Sequence, residues 1–381
     1  MNEKMTVWGH IKSVFTERKR FDASYLIALT ASILLALIVG AVIMLIVGFN
    51  PIECYAEMVK GAFGKDRDVA NTLAKTVTLC ITGLAMAVAA KAGMFNVGGE
   101  GQLFIGGIIS AVVGVGCAGL HPVVAICIAA LSAAAAGALL ALFPAVLKVK
   151  LGISEVIVTI LLNTATIYLC SYLASGPWQA SEGMVAVGTE KLAQGIKFAP
   201  LVRGSNLTMS IFMAAVMTFV IWYFMTKTTG GYEFKMTGLN TEYSKYTGIK
   251  NNRIAISSML ISGAMCGMVG MFEVFASGRF TEGISNEFYF DGMLVAMIMR
   301  YNPVGIVFMS LFFAMMKIGA AKMELVVGMS SELIMVVQSI IIFFMAAENG
   351  ITSQIRHRRE VSKLNKLRKE IKAKKAEQGG M

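Results

Sequence analysis

Charge is scarce in this sequence. Asp, Glu, Lys and Arg make up 15 % of 381 residues against 56 % hydrophobic residues, a ratio that excludes a water-soluble globule. Histidine occurs three times and proline six. The cysteines Cys54, Cys80, Cys117, Cys127, Cys170 and Cys266 lie mostly inside apolar runs, without C-x-x-C or His pairing, so neither a disulfide framework nor a metal site is indicated. The chain also lacks a G-x-x-x-x-G-K-[ST] loop, an H-E-x-x-H pair and a nucleophile elbow. No acid, base and nucleophile set is present, no cofactor is expected, and the energy for any work must come from elsewhere. A cleavable signal is not expected, since the first apolar run, residues 25–48, is too long for an h-region and has no clear A-x-A site.

What is present is a succession of long apolar runs. The length accommodates about eight to ten spans of ~20 residues, so the expected fold class is all-α and polytopic in a membrane. The net charge of +11 does not point to nucleic acid, because ten Lys and Arg residues fall in the tail from Arg356 and others flank the apolar runs. That distribution fits topology and anionic lipid. Lys4, Lys12, Arg18, Lys19 and Arg20 precede the first span and place the N-terminus in the cytoplasm. Spans are expected at about 25–48, 70–90, 102–119, 123–147, 153–174, 207–225, 254–275, 304–320 and 333–346. Residues 49–69 and 175–206 are read as outer loops, and residues 227–253 and the tail as cytoplasmic. The apolar piece 290–299 is too short to cross before Arg300 and Pro303, and reads as a re-entrant half-helix. The expected organisation is thus a cytoplasmic segment 1–24, a permease domain 25–348 and a basic tail 349–381.

Four stretches carry polar chemistry. Residues 227–253 form the longest polar, basic interruption: Gly230 and Gly231 break the preceding helix, and Asn240 or Thr241 caps a short helix bearing Tyr243, Tyr246 and Ile249 at i, i+3, i+6. Such a ridge suits a partner's groove, or alternatively the headgroup plane of a bilayer. Residues 91–102, KAGMFNVGGEGQ, set Asn96, Glu100 and Gln102 among Gly93, Gly98, Gly99 and Gly101. Broken backbone at membrane depth must be covered by protein or line a cavity, and a buried ionisable group there is a functional candidate. The alternative is a cytoplasmic turn with Glu100 solvated at a helix start. Glu155, Thr159, Asn163 and Thr166 recur at i, i+4, i+8, i+11 on one face of an apolar helix, lining a pathway or serving as interhelical glue. Asp291 either caps the half-helix or faces the pathway. Gly263 and Gly267 form a G-x-x-x-G packing element.

All four of these stretches resemble segments of a known family. GGYEFKMTGLNTEYSKYTGI resembles the coupling loop of permease subunits in bacterial ATP-binding-cassette importers of nucleosides and simple sugars, matched at Gly238, Leu239, Asn240, Tyr246, Gly248 and Ile249. That family usually has small residues at the positions of Tyr243 and Ser244, and Arg at that of Lys235. Phe95, Asn96, Gly98, Glu100, Gly101 and Gln102 match the Phe-Asn-x-Gly-x-Glu-Gly-Gln signature of the same branch. GISEVIVTILLN, with Ser154 where Asn is usual, and Phe290-Asp291-Gly292 resemble two further segments. The resemblance implies a permease in a bacterial cytoplasmic membrane, importing nucleosides more than free sugars. It implies Asn96, Glu100, Gln102, Thr159, Asn163 and Asp291 along the substrate pathway. Gly238, Leu239, Asn240, Tyr243, Tyr246, Gly248 and Ile249 would couple to a separate ATPase. The implied partners are that ATPase, a second permease forming a heterodimer, and an extracellular substrate-binding lipoprotein. The competing reading is an ion-coupled secondary transporter, with Glu100, Glu155 and Glu273 as ion ligands.

Overall fold

In the computed structural model the described residues are 30–180, 187–330 and scattered positions between 332 and 344. The chain divides into two compact units, residues 1–54 with 328–381, and residues 55–327. The first unit contains α1 (Thr30–Val47), an apolar helix of 18 residues. Helix α2 (Pro51–Phe63) begins at its edge. The expected last span, 333–346, falls mostly outside the described residues.

The second unit holds α3 (Asp66–Lys91), α4 (Gly99–Gly116), α5 (Pro122–Leu151), α6 (Glu155–Ser175), α7 (Ser210–Lys227), α8 (Thr229–Leu239), α9 (Thr241–Tyr246), α10 (Asn251–Ser277), α11 (Phe288–Ile298) and α12 (Pro303–Val327). Among the described residues, 8 helices are long and apolar enough to cross a membrane, and the 11-residue α11 is not. The half-helix expected near residue 290 is therefore present. Residues 49–69, expected as a loop, are instead largely helical, because α2 carries its charges on one side while Met58 and Gly61 pack against α12 at Gly319 and Lys322.

The core is built on α3, α4 and α10, which bury most of their length, whereas α5, α6 and α7 bury only narrow faces. Their outward faces carry Leu131, Leu139, Phe143, Ile157, Leu161, Phe212 and Phe219, an apolar exterior suited to lipid. Small residues close the centre. A side chain on Gly263 would lie 2.6 Å from Ala141 Cβ, and one on Gly137 would lie 3.0 Å from the amide of Gly267. The G-x-x-x-G element thus brings the α5 and α10 backbones together as expected. Near residue 188 an isolated bridge to Thr281 and the bond from Phe198 N–H to Phe275 O, 2.9 Å, tie the 187–206 segment over the end of α10.

Candidate functional site: a buried polar seam and the loop beneath it

Helix α6 has an inverted face. Its buried residues are Glu155, Thr159, Asn163, Thr166, Cys170 and Ala174, the polar stripe read from the sequence and its continuation. Apolar side chains face outward. A polar stripe is excluded from lipid by the cost of unpaired groups, so it turns onto α4. There Asn163 Nδ2 donates to Val97 O (2.7 Å) and its Oδ1 accepts from Gly101 N (2.7 Å). Thr159 donates to its own helix at Glu155 O, 2.8 Å, with Gly98 against its Cβ. Glu155, at the first residue of α6, is paired with Lys148, 2.9 Å.

The turn that α6 grips is the 95–98 segment. Asn96 and Gln102 exchange amide bonds, Nδ2 to Oε1 at 2.8 Å and Nε2 to Oδ1 at 3.1 Å, and Asn96 Nδ2 also donates to Ser262 Oγ of α10 (2.9 Å). Asn96 is 0 %, Gln102 1 % and Glu100 3 % exposed, so the solvated-turn alternative does not hold. The glycines divide in role. Gly93, at φ 78, turns the chain after α3. Gly99 and Gly101 are already helical, and a side chain on Gly99 would overlap the Tyr289 ring.

Glu100 lies at the start of α4 yet serves α11. Its Oε2 accepts from Tyr289 N (2.9 Å) and its other oxygen from Ser285 Oγ, while the Tyr289 hydroxyl donates to Asn96 O. Gly98 has no side chain with which to cap α4, and Glu287 at the start of α11 is held at φ 57. Each buried helix start is therefore capped from another helix: α4 by Asn163 and α11 by Glu100. Asp291 is not the cap. It lies in the first turn of α11 and pairs with Lys317 of α12.

Asp291 belongs to a charge cluster that sequence reading did not assemble. Lys75 of α3 sits 3.1 Å from the centre of the Phe288 ring, with Glu273, Asp291, Lys317 and Glu100 as its charged neighbours. Glu273 accepts from Thr78 Oγ1 at 2.5 Å. The available signal was Lys75 and Glu273 lying inside apolar runs, but their proximity crosses nearly 200 residues. A cavity of about 160 Å³ opens beside them, lined by Asn71, Thr78, Ser210, Phe272 and others.

At the opposite end of α3 lies the 228–250 loop. The break after α7 falls at Thr228, whose hydroxyl accepts from Gly231 N (3.2 Å), so Gly230 and Gly231 sit in the first turn of α8 and do not break the helix. Asn240 caps α9 as expected, Oδ1 accepting from Tyr243 N at 3.0 Å. The helix ends in a Schellman motif: Gly248 N to Lys245 O at 3.0 Å, Ile249 N to Ser244 O at 3.1 Å, with Gly248 at φ 83. Tyr243 and Tyr246 are 54 % and 89 % exposed, and Leu239 70 %. Ile249 lies beyond the helix and is half-buried, so the ridge is Leu239, Tyr243 and Tyr246. Ser244 is buried and donates to Asn251 Oδ1 (2.7 Å), while Asn251 Nδ2 donates to Thr241 O (2.8 Å), a clasp that sequence reading missed. Gly238 abuts the end of α3, where a side chain would lie 2.9 Å from Gly93 N. Loop and turn are thus in direct backbone contact.

Apolar helices long enough to cross a membrane, packed around a capped polar seam, define a multi-pass membrane protein. The family model described as Branched-chain amino acid transport system / permease component matches residues 69–346, and the chain belongs to that family. It is 32 % identical over 310 residues to the guanosine ABC transporter permease NupP of Bacillus subtilis, covering 80 % of this chain and 88 % of the relative. It is 32 % identical to the nucleoside ABC transporter permease NupB of Lactococcus lactis, covering 79 % and 85 %. It is 29 % identical to the glucose ABC transporter permease TsgB13 of Haloferax volcanii, covering 78 % and 80 %. No solved structure matches. The chain is an ABC transporter permease, a membrane protein and not an enzyme, that works with ATPase and substrate-binding partners.

Proposed function

We propose that this permease imports nucleosides, driven by a separate ATPase that docks on Leu239, Tyr243 and Tyr246. The observation that carries this reading is the α8–α9 loop: its outward face is aromatic and exposed, and its inward face rests through Gly238 on the turn that leads to Asn96. A groove that takes such a ridge gains apolar contact at the centre of the interface, where aromatic anchors dominate. Movement of the loop then shifts Lys91 to Gly93, the Asn96–Gln102 turn, and through Glu100 the start of α11. This path is continuous, and it is the kind of packed two-sided connection that can carry coupling.

The nucleoside assignment is supported by the names of the two relatives at 32 % identity, with a sugar as the second reading from the third relative. In this reading the loop, the N-terminus and the tail are cytoplasmic, the end of the bundle at Asn71 and Asn206 is outer, and the permease pairs with a second, different permease. An extracellular binding lipoprotein delivers the solute. Asn96, Glu100, Gln102, Thr159 and Asn163 act on the pathway by holding the α4 and α11 starts that border it, and Asp291 through its pair with Lys317.

Uptake of labelled nucleosides and glucose, in cells with and without the ATPase gene, tests the proposal. Nucleoside uptake that requires the ATPase and survives an uncoupler at maintained ATP is expected. Uptake abolished by the uncoupler at constant ATP would establish ion coupling instead.

A further inference from the structure

The cavity beside Lys75 and Glu273 is built from mixed chemistry at one end of the bundle. Asn71, Lys75 and Thr78 lie on one face of α3, at i, i+4, i+7, and look across to Ser210 of α7 and to Phe272 and Glu273 of α10. Lys75 and Glu273 are half-buried, and both line the cavity. Glu273 is held by Thr78 at 2.5 Å, and Lys75 is held over the Phe288 ring at 3.1 Å, which fixes both heads. Asn206 N–H donates to Asn71 Oδ1 (2.9 Å) at the rim.

Several ligand classes fail here. A metal cation would meet the ammonium of Lys75, and a phosphate would meet the carboxylate of Glu273. A neutral polyol meets neither objection, because its hydroxyls donate to the carboxylate and accept from the ammonium and the amide at once. A carboxylate is also the group that reads ribose hydroxyls in dinucleotide folds. Ala74, Ala276 and Ile318 supply the apolar lining against which the C–H face of a sugar ring can lie. Size narrows the class further: about 160 Å³ is below the ~300–1,000 Å³ of sites that enclose a whole drug-sized ligand.

We propose that this cavity binds the pentose ring of the transported solute, with Glu273 and Lys75 as its hydroxyl contacts and the base left outside. The inference rests on the nucleoside or sugar reading above. It identifies a contact site within one permease chain, next to the Asp291–Lys317 pair and hence to α11.

The test is ligand protection in cells carrying the complete transporter. In a background free of the native cysteines, Ser210→Cys and, independently, Ser277→Cys, both positions lining the cavity, are alkylated with membrane-permeant N-ethylmaleimide. Rates are measured alone and with millimolar inosine, D-ribose or hypoxanthine, and uptake of labelled inosine and ribose is measured in the same cells. Inosine and ribose are expected to slow alkylation roughly tenfold, hypoxanthine to leave it unchanged, and Glu273→Gln to remove the protection. Equal rates with and without all three solutes overturn the site, as does equal protection by hypoxanthine. Uptake without protection overturns the cavity alone. Protection without uptake of either solute supports the cavity and overturns the transport reading.

Discussion

Asn163 and Glu100 perform the same task on different helices. An unpaired amide or carbonyl buried away from water costs about 1–3 kcal/mol, and membrane depth offers no water to relieve it. Asn163→Leu leaves both Gly101 N–H and Val97 O unpaired. Insertion should persist, since it depends on summed apolarity, but uptake should fall at least roughly tenfold and the purified protein should melt at a lower temperature. Asn163→Asp, which in its protonated form keeps both the acceptor for Gly101 N and a donor for Val97 O, should lose less. Normal uptake by Asn163→Leu would show that the stripe only fills space. Glu100→Gln tests the second cap. One of its two acceptor positions becomes a donor that faces Ser285 Oγ or Tyr289 N, and hydrogen bonds to a charged group are worth ~1.5–3 kcal/mol. Uptake should drop while ATPase association is retained, measured by co-purification; loss of both would mean general unfolding.

At the scale of elements, α9 stands on its caps, because six residues are far too few for a helix to persist alone. Gly248, at φ 83, has open space around its missing side chain, so Gly248→Val acts through backbone alone, at about 1–2 kcal/mol for the left-handed conformation. Gly248→Asn should largely restore what valine loses. Tyr246→Ala leaves the fold intact, as the side chain is 89 % exposed. Truncating an interface anchor costs ~2 kcal/mol or more, and each 1.4 kcal/mol is tenfold, so ATPase co-purification should weaken at least roughly tenfold. Wild-type association and stimulated ATP hydrolysis in Tyr246→Ala would support a helix lying on lipid. These elements were legible beforehand for a physical reason. The Asn240 cap, the α6 stripe and the short α11 are local patterns with fixed spacing. The partner of each pattern was not legible. Periodicity says that Asn163 faces inward, but not that it meets Gly101; it cannot pair Asp291 with Lys317 or bring Lys75 near Glu273. Helix α2 was missed because its charges resemble a loop, and the break at Thr228 because two neighbouring glycines drew attention from a capping hydroxyl.

At the scale of the molecule, α3 is the axis that fixes which groups can share a side of the membrane. It has 26 residues, roughly 39 Å at 1.5 Å per residue, longer than a hydrocarbon core of ~30 Å. At its start Asn71 bonds the Asn206 backbone, and at its end Lys91 and Gly93 touch Gly238. Asn206 and the α8–α9 loop must therefore emerge on opposite faces. In the function proposed above, the excess of Lys in that loop puts it on the cytoplasmic side by the positive-inside rule. Both Asn206 and Thr241 are exposed, so each can report its side as a single cysteine in a background lacking the native six. A membrane-impermeant maleimide applied to intact cells should label Asn206→Cys and leave Thr241→Cys unlabelled until the membrane is permeabilised. The reverse pattern would invert the transporter and remove the ATPase from reach of Tyr246. Labelling of both positions in intact cells would contradict a single spanning α3.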